Sequence, residues 1–271
     1  MAVRNPNRFA LLMCCDYPGT PVRLTGCVND GNNVYNLLTR KRGFHPSNVT
    51  RLYDRSMTRG NMIYQLNMFA AKTRVIGNRG QTPQCVLYYS GHGIRVPLSY
   101  KGKGIKVSEL FERNANRFLE DADGNEALVP YDYRRNGLLL DDTLFSTFIK
   151  NLHPSTELFI MTDCCNSGSN FDLKYQNLVD MYANNNVEPK IIQLAGCQDD
   201  QYAMEVNGQG VLTSRFVNIM NTNPNQITNI DSLMNAFKDL SMFGNVQHPQ
   251  VSLSNVSMLN SNLFSWLRIP N

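Results

Sequence analysis

Short apolar runs alternate with longer amphipathic stretches along the chain, a pattern typical of α/β proteins. Apolar runs predict strands, and apolar residues that recur every three or four positions predict helices. Alternation of the two implies a mostly parallel central sheet with helices on both faces. Strands are expected at 9–14, 49–53, 84–89, 157–162, 190–195 and 250–254, and helices at 30–42, 60–75, 142–152, 212–220 and 230–243.

Length and composition limit what the chain can be. The 271 residues could form one large domain or two small ones, and a hydrophobic fraction of 42% suffices for a core. The net charge is +4 and no basic block is dense, which argues against a nucleic-acid partner. No apolar run reaches the ~18 residues that span a bilayer. The N-terminus lacks a signal-peptide pattern, so no membrane partner is expected.

The cysteine content points to a reducing compartment. The chain has seven cysteines, whereas a disulfide framework uses an even number. Most of them lie in or beside apolar runs, which suits reduced, buried thiols. Reduced thiols and a cytoplasmic location are therefore expected.

Two of the predicted strands stop at small-residue turns that carry a reactive side chain. The strand at 84–89 is followed by Ser-Gly-His-Gly, which contains His92, and the strand at 157–162 is followed by Asp-Cys-Cys-Asn-Ser-Gly, which contains Cys165. Carboxyl ends of parallel strands meet at one edge of a sheet. A cysteine nucleophile and a histidine that carries its proton need this proximity.

Cys164 is the rival nucleophile. Neighbouring residues of a strand point to opposite faces, so only one of the two thiols can face a cleft. A buried cysteine is an ordinary core residue, and whichever thiol does not face the cleft is expected to be one.

The residues at both turns resemble the metacaspases, the arginine- and lysine-specific relatives of caspases. Ser-Gly-His-Gly is the histidine motif of that family, and its cysteine motif usually has histidine where Asn166 stands here. The resemblance covers most of the chain in the order of the family, with further matching motifs at 26–30, 141–142, 196–201 and 210–213.

The resemblance implies a caspase-like fold in one catalytic domain, 1–271, without an N-terminal pro-domain. A large-subunit-like part (1–180) and a small-subunit-like part (188–271) would be joined by a mobile linker at about 174–189. The segment 95–123 is longer than its counterpart in the family. Most metacaspases are monomers, and a monomer is expected here.

The same resemblance assigns the catalytic groups. Cys165 is the expected nucleophile and His92 the acid/base, with backbone N–H groups of Gly93 and Cys165 as donors to the oxyanion. Asn166 is expected to act through its backbone, so the absence of the usual histidine leaves this mechanism intact.

The substrate pocket of the family maps onto Cys27, Asp30, Ser90 and Asp163. Two carboxylates in a partly closed pocket select a long cation, and a guanidinium fits them best. Cleavage after arginine, with lysine second, is therefore expected in protein or peptide substrates. Asp30 has a structural alternative, because it precedes an amphipathic stretch and could be a helix N-cap.

Many metacaspases require calcium, and their acidic positions map onto Asn125, Asp141, Asp142 and Asp172. Calcium takes six to eight oxygen ligands, and an amide at 125 lowers the negative charge of the site. Calcium is thus expected as an activator that acts at high concentration, with self-cleavage as a further consequence. Asp141 and Asp142 could instead only stabilise a helix N-terminus.

Three function classes compete. The first is a metacaspase-like cysteine endopeptidase. The second is a catalytically silent caspase-fold scaffold or regulator, which the substitution at Asn166 and the amide at Asn125 favour. The third, a nucleotide-binding doubly wound protein, is disfavoured because no glycine-rich phosphate loop follows a predicted strand.

Overall fold

The structure is a computed structural model. It describes residues 5–97, 100, 125–164, 171–176, 179–180, 187–196, 205–206, 208–238, 240–242, 245–258 and 262–268. Most of the segment 95–123 lies outside these ranges.

The strands and helices follow one another in nearly the predicted order. The strands are β1 (Arg8–Cys14), β2 (Val49–Tyr53), β3 (Gln84–Ser90), β4 (Gly93–Val96), β5 (Asn125–Leu128), β6 (Leu139–Leu140), β7 (Glu157–Asp163), β8 (Tyr175–Gln176), β9 (Val179–Asp180), β10 (Lys190–Ala195), β11 (Glu205–Val206), β12 (Gln209–Gly210), β13 (Leu240–Met242), β14 (Asn245–Gln247) and β15 (Gln250–Leu253). The helices are α1 (Cys27–Lys41), α2 (Arg59–Gly77), α3 (Tyr133–Asn136), α4 (Asp141–Thr147), α5 (Val211–Thr222), α6 (Ile230–Phe237) and α7 (Ser265–Arg268).

One central sheet organises the domain. Its strand order is β2-β1-β3-β7-β10-β15-β8-β9. The first five strands run parallel, and β15 pairs antiparallel with β10. The predicted mostly parallel α/β sheet is confirmed. The short strands β8 and β9 come from the region expected as a linker and extend the sheet beyond β15.

Helices cover both faces of the sheet, as predicted. Side chains of α1, α5, α6 and α7 pack on the face that carries Leu12 and Tyr88, here called the α1 face. Side chains of α2, α3 and α4 pack on the opposite face, which carries Leu11 and Tyr89 and is called the α2 face. The inner strands β1, β3, β7 and β10 are almost completely buried on both faces, which explains why they read as continuous apolar runs.

Helix α1 begins at Cys27, one turn before the predicted start at Asp30. Its N-cap, Gly26, has no side chain to accept a hydrogen bond. The carboxylate of Asp16, in the loop after β1, accepts instead from the backbone N–H groups of Cys27 (2.8 Å) and Val28 (3.4 Å). A cap supplied from eleven residues upstream leaves no local signature of the kind that marks an ordinary N-cap.

Two predicted helices are shorter than expected. The helix predicted at 230–243 ends at Phe237, because Leu240–Met242 pairs with Asn245–Gln247 in a hairpin. The helix predicted at 142–152 comprises α4 and then a separate 3₁₀ turn, Ile149–Asn151. Within the described residues, no helix is both long and apolar enough to cross a membrane.

Replacing the distant cap should test its contribution. Asp16→Ala leaves the first N–H groups of α1 without their acceptor and is expected to lower the free energy of unfolding by about 1–2 kcal/mol. Urea unfolding measures the change. Asp16→Asn keeps one acceptor oxygen and should retain more stability than the alanine variant; equal stability of the two would contradict the capping role.

Candidate active site

The two reactive turns leave the sheet side by side. Strands β3 and β7 are parallel neighbours, and their last residues, Ser90 and Asp163, lie opposite each other. The histidine turn and the cysteine turn therefore start at the same edge of the sheet, as predicted. Cys165 itself, with Asn166, lies outside the described residues, so its distance to His92 stays a prediction.

The imidazole of His92 is held by one backbone carbonyl. Its Nε2 lies 2.7 Å from the carbonyl oxygen of Val22. A carbonyl oxygen can only accept a hydrogen bond, so Nε2 carries the hydrogen in this contact. In the neutral ring Nδ1 is then the basic nitrogen, which fixes the side of the ring that can take a proton.

Two buried tyrosines hold the backbone of His92. The hydroxyl of Tyr17 accepts from the His92 N–H (3.0 Å), and the hydroxyl of Tyr89 donates to the His92 carbonyl (2.7 Å). The Tyr17 ring also lies against the imidazole, with the ring centroids 4.8 Å apart. A methyl group at Gly91 would stand 2.9 Å from the Tyr17 hydroxyl oxygen and 3.0 Å from that of Tyr89. The glycine before His92 therefore leaves room for the two tyrosine hydroxyls that hold the His92 backbone.

Tyr17 adopts a backbone conformation that is uncommon for a bulky residue. Its φ is +50°, in the left-handed region that few non-glycine residues occupy. Its hydroxyl also donates to the carbonyl of Val129, at 2.7 Å. Such conformations persist where surrounding contacts over-determine them, often at functional sites.

Cys164 is buried on the α2 face of the sheet. It is 1% exposed and belongs to the core cluster on that face, in agreement with its expected core role. Asp163, one position earlier, contacts α5 on the α1 face, as alternation along a strand requires.

The four expected pocket residues are all buried: Cys27, Asp30, Ser90 and Asp163. Asp30 and Asp163 converge on the segment that opens α5. Asp30 Oδ2 accepts from the Gly210 N–H at 2.7 Å, and Asp163 Oδ2 accepts from the N–H and hydroxyl of Thr213 at 3.0 and 2.7 Å. The structure thus brings the two aspartates together.

These contacts revise the structural roles of both aspartates. Asp30 is not the N-cap of α1, since it lies inside the first turn and Gly26 holds the cap position. Asp163 accepts from the backbone N–H of Thr213, the third residue of α5, as an N-cap does, although it lies at the end of strand β7. The Oδ2 atom of each carboxylate therefore accepts from a backbone N–H of the segment that opens α5.

Three of the four expected calcium positions form an acidic cluster. Carboxylate oxygens of Asp141, Asp142 and Asp172 lie within 4.8 Å of one another. Calcium–oxygen distances of 2.3–2.6 Å place two ligands of one ion up to about 5 Å apart, so this spacing fits a single calcium ion. The fourth position, Asn125, is the first residue of β5, and the next residue, Glu126, donates its backbone N–H to Asp141 Oδ2 at 2.7 Å.

Burial disfavours the charged form of one carboxyl in the cluster, that of Asp141. Burial raises the pKa of Asp141 to about 6, with a smaller contribution from the charge of Asp142, although backbone donors oppose the shift. Because the folded-state pKa is above the unfolded one, this carboxyl stabilises the fold most below pH 4, and the contribution is lost as the pH rises through 6. A bound cation would offset that loss at neutral pH.

Comparison with known proteins identifies the family. A family model described as the metacaspase, peptidase C14 domain matches residues 8–174. The chain belongs to the metacaspase family. The match contains the histidine turn, the cysteine turn and the acidic cluster. Metacaspases are cysteine-type peptidases by family, and the caspase-like fold expected from the sequence agrees with the observed sheet.

Individual metacaspases are similar over much of the chain. Metacaspase-1 of Plasmodium falciparum is 30% identical over 231 residues, which are 80% of this chain and 35% of that protein. Metacaspase III c of Phaeodactylum tricornutum is 31% identical over 169 residues, 62% of this chain and 45% of that protein. Metacaspase-1 of Yarrowia lipolytica is 23% identical over 93% of this chain and 62% of its own length. The chain thus spans about one third to two thirds of these relatives.

A solved structure supports the fold alone. Protein GSU0716 from Geobacter sulfurreducens superposes with a TM-score of 0.64 at 18% identity, over 96% of this chain and 98% of that one.

Several groups at the metacaspase site could not be found from the sequence. Val22 acts through its carbonyl, which has no residue-type signal, and Tyr17 lies in a loop far from His92 in the chain. Thr213 was part of a matching motif without an assigned contact. A threonine at the third position of a helix is the signal that could have indicated a polar partner.

The contact between His92 Nε2 and the Val22 carbonyl predicts the tautomer of the histidine. Neutral His92 is expected to carry its hydrogen on Nε2, because Nε2 donates to that carbonyl. Long-range ¹H–¹⁵N correlation spectra of the imidazole nitrogens above pH 7.5 measure this, with His92→Gln to assign the signal. A dominant Nδ1–H form would mean that the contact does not exist in solution.

Proposed function

We propose that this domain is a cysteine endopeptidase that cleaves after arginine and, less readily, lysine, with Cys165 as nucleophile and His92 as acid/base. The observation that carries the proposal is the fixed imidazole of His92. Its Nε2 is engaged by Val22, which leaves Nδ1 to take a proton beside the strand end that leads into Cys165. Family membership supplies the reaction class.

The proposed reaction proceeds through a thioester. Nδ1 of His92 takes the thiol proton of Cys165, and the sulfur attacks the scissile carbonyl carbon to form a C–S bond. The N–H groups of Gly93 and Cys165 donate to the oxyanion. The C–N bond then breaks as His92 gives its proton to the leaving amine. Water then gives a proton to His92 and attacks the thioester carbon. The C–S bond breaks, the new carboxyl terminus leaves, and His92 returns the proton to the Cys165 sulfur.

The acidic pocket supports a cationic substrate side chain. Asp30 and Asp163 lie beside the same glycine, Gly210, and each accepts a backbone N–H, which favours the ionised carboxylate. Two buried anions select a cation, and the planar fork of a guanidinium can bind both. A caspase-type aspartate substrate would be repelled.

Calcium is proposed as an activator bound by the acidic cluster. Asp141, Asp142 and Asp172 would hold it, with Asn125 as an amide ligand. The ion would supply positive charge that neutralises the mutual repulsion of the three carboxylates. Four oxygen donors, of which three are charged, form a moderate rather than a tight calcium site.

The sheet edge beyond β15 supports a monomer. Caspases dimerise through an edge strand of the small half, whereas here β15 is paired with β8, which in turn pairs with β9. The strands β8 and β9, of two residues each, then form this end of the sheet order, and very short edge strands are poor templates for a second chain. Self-processing in the basic loops and a cytoplasmic location remain parts of the proposal that follow from the resemblance.

A peptide panel tests the proposed activity and its nucleophile together. An arginyl fluorogenic peptide with calcium should be cleaved faster than a lysyl one, and an aspartyl one not at all. Cys165→Ala should abolish turnover, since no sulfur remains to attack. Cys164→Ala, the matched control one position away, should keep at least about a third of it, because Cys164 is a core residue. Preferential cleavage after aspartate would refute the assignment.

Removing one carboxylate tests the calcium site. Asp172 has φ +47°, which asparagine also tolerates, so Asp172→Asn removes charge with little change of backbone. The calcium concentration for half-maximal activity should rise roughly tenfold, as expected for one negative ligand less. Asp231→Asn, at an exposed position of helix α6, is the control that should leave it unchanged. Full activity of the parent protein in excess chelator would contradict a calcium requirement.

A catalytically silent scaffold is the second candidate. The replacement of the family histidine by Asn166 and the amide at Asn125 favour it. An arginyl chloromethyl ketone separates the two functions, because it alkylates an activated thiol held next to an arginine-binding pocket. Covalent labelling of Cys165, measured by mass spectrometry, favours the peptidase; an unlabelled protein favours the scaffold.

A further inference from the structure

The motif Gly210-Val211-Leu212-Thr213 matches the family but has no role in the reaction proposed above. It forms the N-terminus of α5, with Gly210 at the N-cap position. Its first residue donates to Asp30, and its last donates twice to Asp163. One short segment therefore touches both acidic residues of the pocket.

The hydrogen bonds around Thr213 have a definite direction. An ionised carboxylate only accepts, so the Thr213 hydroxyl spends its one hydrogen on Asp163 Oδ2. The Tyr88 hydroxyl, 2.7 Å from Thr213 Oγ1, must then donate to it. Burial raises the pKa of Tyr88 well above its ordinary value, so the phenol keeps the hydrogen that this arrangement needs. Tyr88, Thr213 and Asp163 thus form a chain of donors that ends on the carboxylate.

Gly210 sets the distance between the segment and the two carboxylates. A methyl group at this position would collide with Asp163 Oδ2 and stand 3.0 Å from Asp30 Oδ2. The main chain of α5 can approach both aspartates only because residue 210 lacks a side chain. The Oδ2 atom of each carboxylate is engaged by the segment, which fixes the plane of each group.

We propose that the segment Gly210–Thr213 determines the specificity of the pocket, with the Thr213 hydroxyl positioning the Asp163 carboxylate for a guanidinium. The inference rests on the proposed function, since it assigns Asp163 to the substrate pocket. A guanidinium is recognised by oxygens in a fixed plane, so a carboxylate that can rotate should discriminate poorly. Thr213 touches the aspartate and not the reacting atoms, and is a positioning residue.

Thr213→Val separates positioning from helix capping. Valine has the shape of threonine and keeps the backbone N–H that caps α5 on Asp163, but it lacks the hydroxyl. KM for an arginyl peptide should rise about tenfold, the usual size of one lost hydrogen bond to a charged group, with kcat within twofold. The preference for arginine over uncharged citrulline should fall by the same factor. Thr213→Ser should restore both, and Tyr88→Phe should cause a smaller change in the same direction.

Binding measurements make the test independent of turnover. Titration of Nα-acetyl-argininamide into the full chain by calorimetry should show about tenfold weaker binding for Thr213→Val than for the parent and for Thr213→Ser. A parent that binds this ligand without cleaving peptides would defeat the proposed peptidase and leave the pocket inference standing. A Thr213→Val protein with a lower melting temperature but unchanged ligand affinity, KM and arginine preference would show that Thr213 only caps the helix. A parent that does not bind the ligand would overturn the inference.

Discussion

The parallel register of β3 with β7 fixes where every candidate functional group lies. Because Ser90 stands opposite Asp163, the turn with His92 and the turn with Cys164 leave the same edge of the sheet. Strand alternation then sends Asp163 to the α1 face and Cys164 to the α2 face. A shift of one residue in this pairing would exchange the faces, so that Asp163 would lie on the α2 face and Cys164 on the α1 face.

Carboxylates serve as long-range helix caps throughout the site. Asp16 caps α1 from the loop after β1, and Asp163 accepts from the first turn of α5 from the end of β7. The positive ends of these helices favour negative charge, so the pocket anions are stabilised before any substrate arrives. Asp163, which would bind a cationic substrate in the proposed pocket, thereby also holds α5 against the end of β7. At α5, the fold and the proposed recognition would depend on the same hydrogen bonds.

The sequence predicted what depends on local pattern and missed what depends on distant partners. The strand Lys190–Ala195 has its predicted bounds, since a short apolar run has one stable environment in a sheet buried on both faces. The edge strand Val49–Tyr53 also has its predicted bounds, although Thr50 and Arg51 are exposed. The start of α1 was wrong because Asp16, its cap, is remote in the chain. The end of α6 was wrong because Leu240–Met242 finds a strand partner instead of a helical turn.

The candidate site divides in the same way. His92, Asp30 and Asp163 could be proposed from motifs, because catalysis and charge recognition restrict residue type. The supports of these residues could not, because a carbonyl such as that of Val22 carries no side-chain signal. The hydrogen bond from the His92 N–H to the Tyr17 hydroxyl joins residues 75 positions apart, so only the folded chain brings them together.

The three-stranded sheet β4–β5–β6 links the acidic cluster to the histidine. His92 leads directly into β4, which pairs with β5, and β5 pairs with β6, which ends at Leu140, directly before Asp141. The two ends are tied on both sides: the Glu126 N–H donates to Asp141 Oδ2, and the Val129 N–H donates to the His92 carbonyl. In the proposal that calcium binds the cluster, these strand pairs and hydrogen bonds are the contiguous connection between Asp141 and His92, because packed strands move as units rather than deforming continuously.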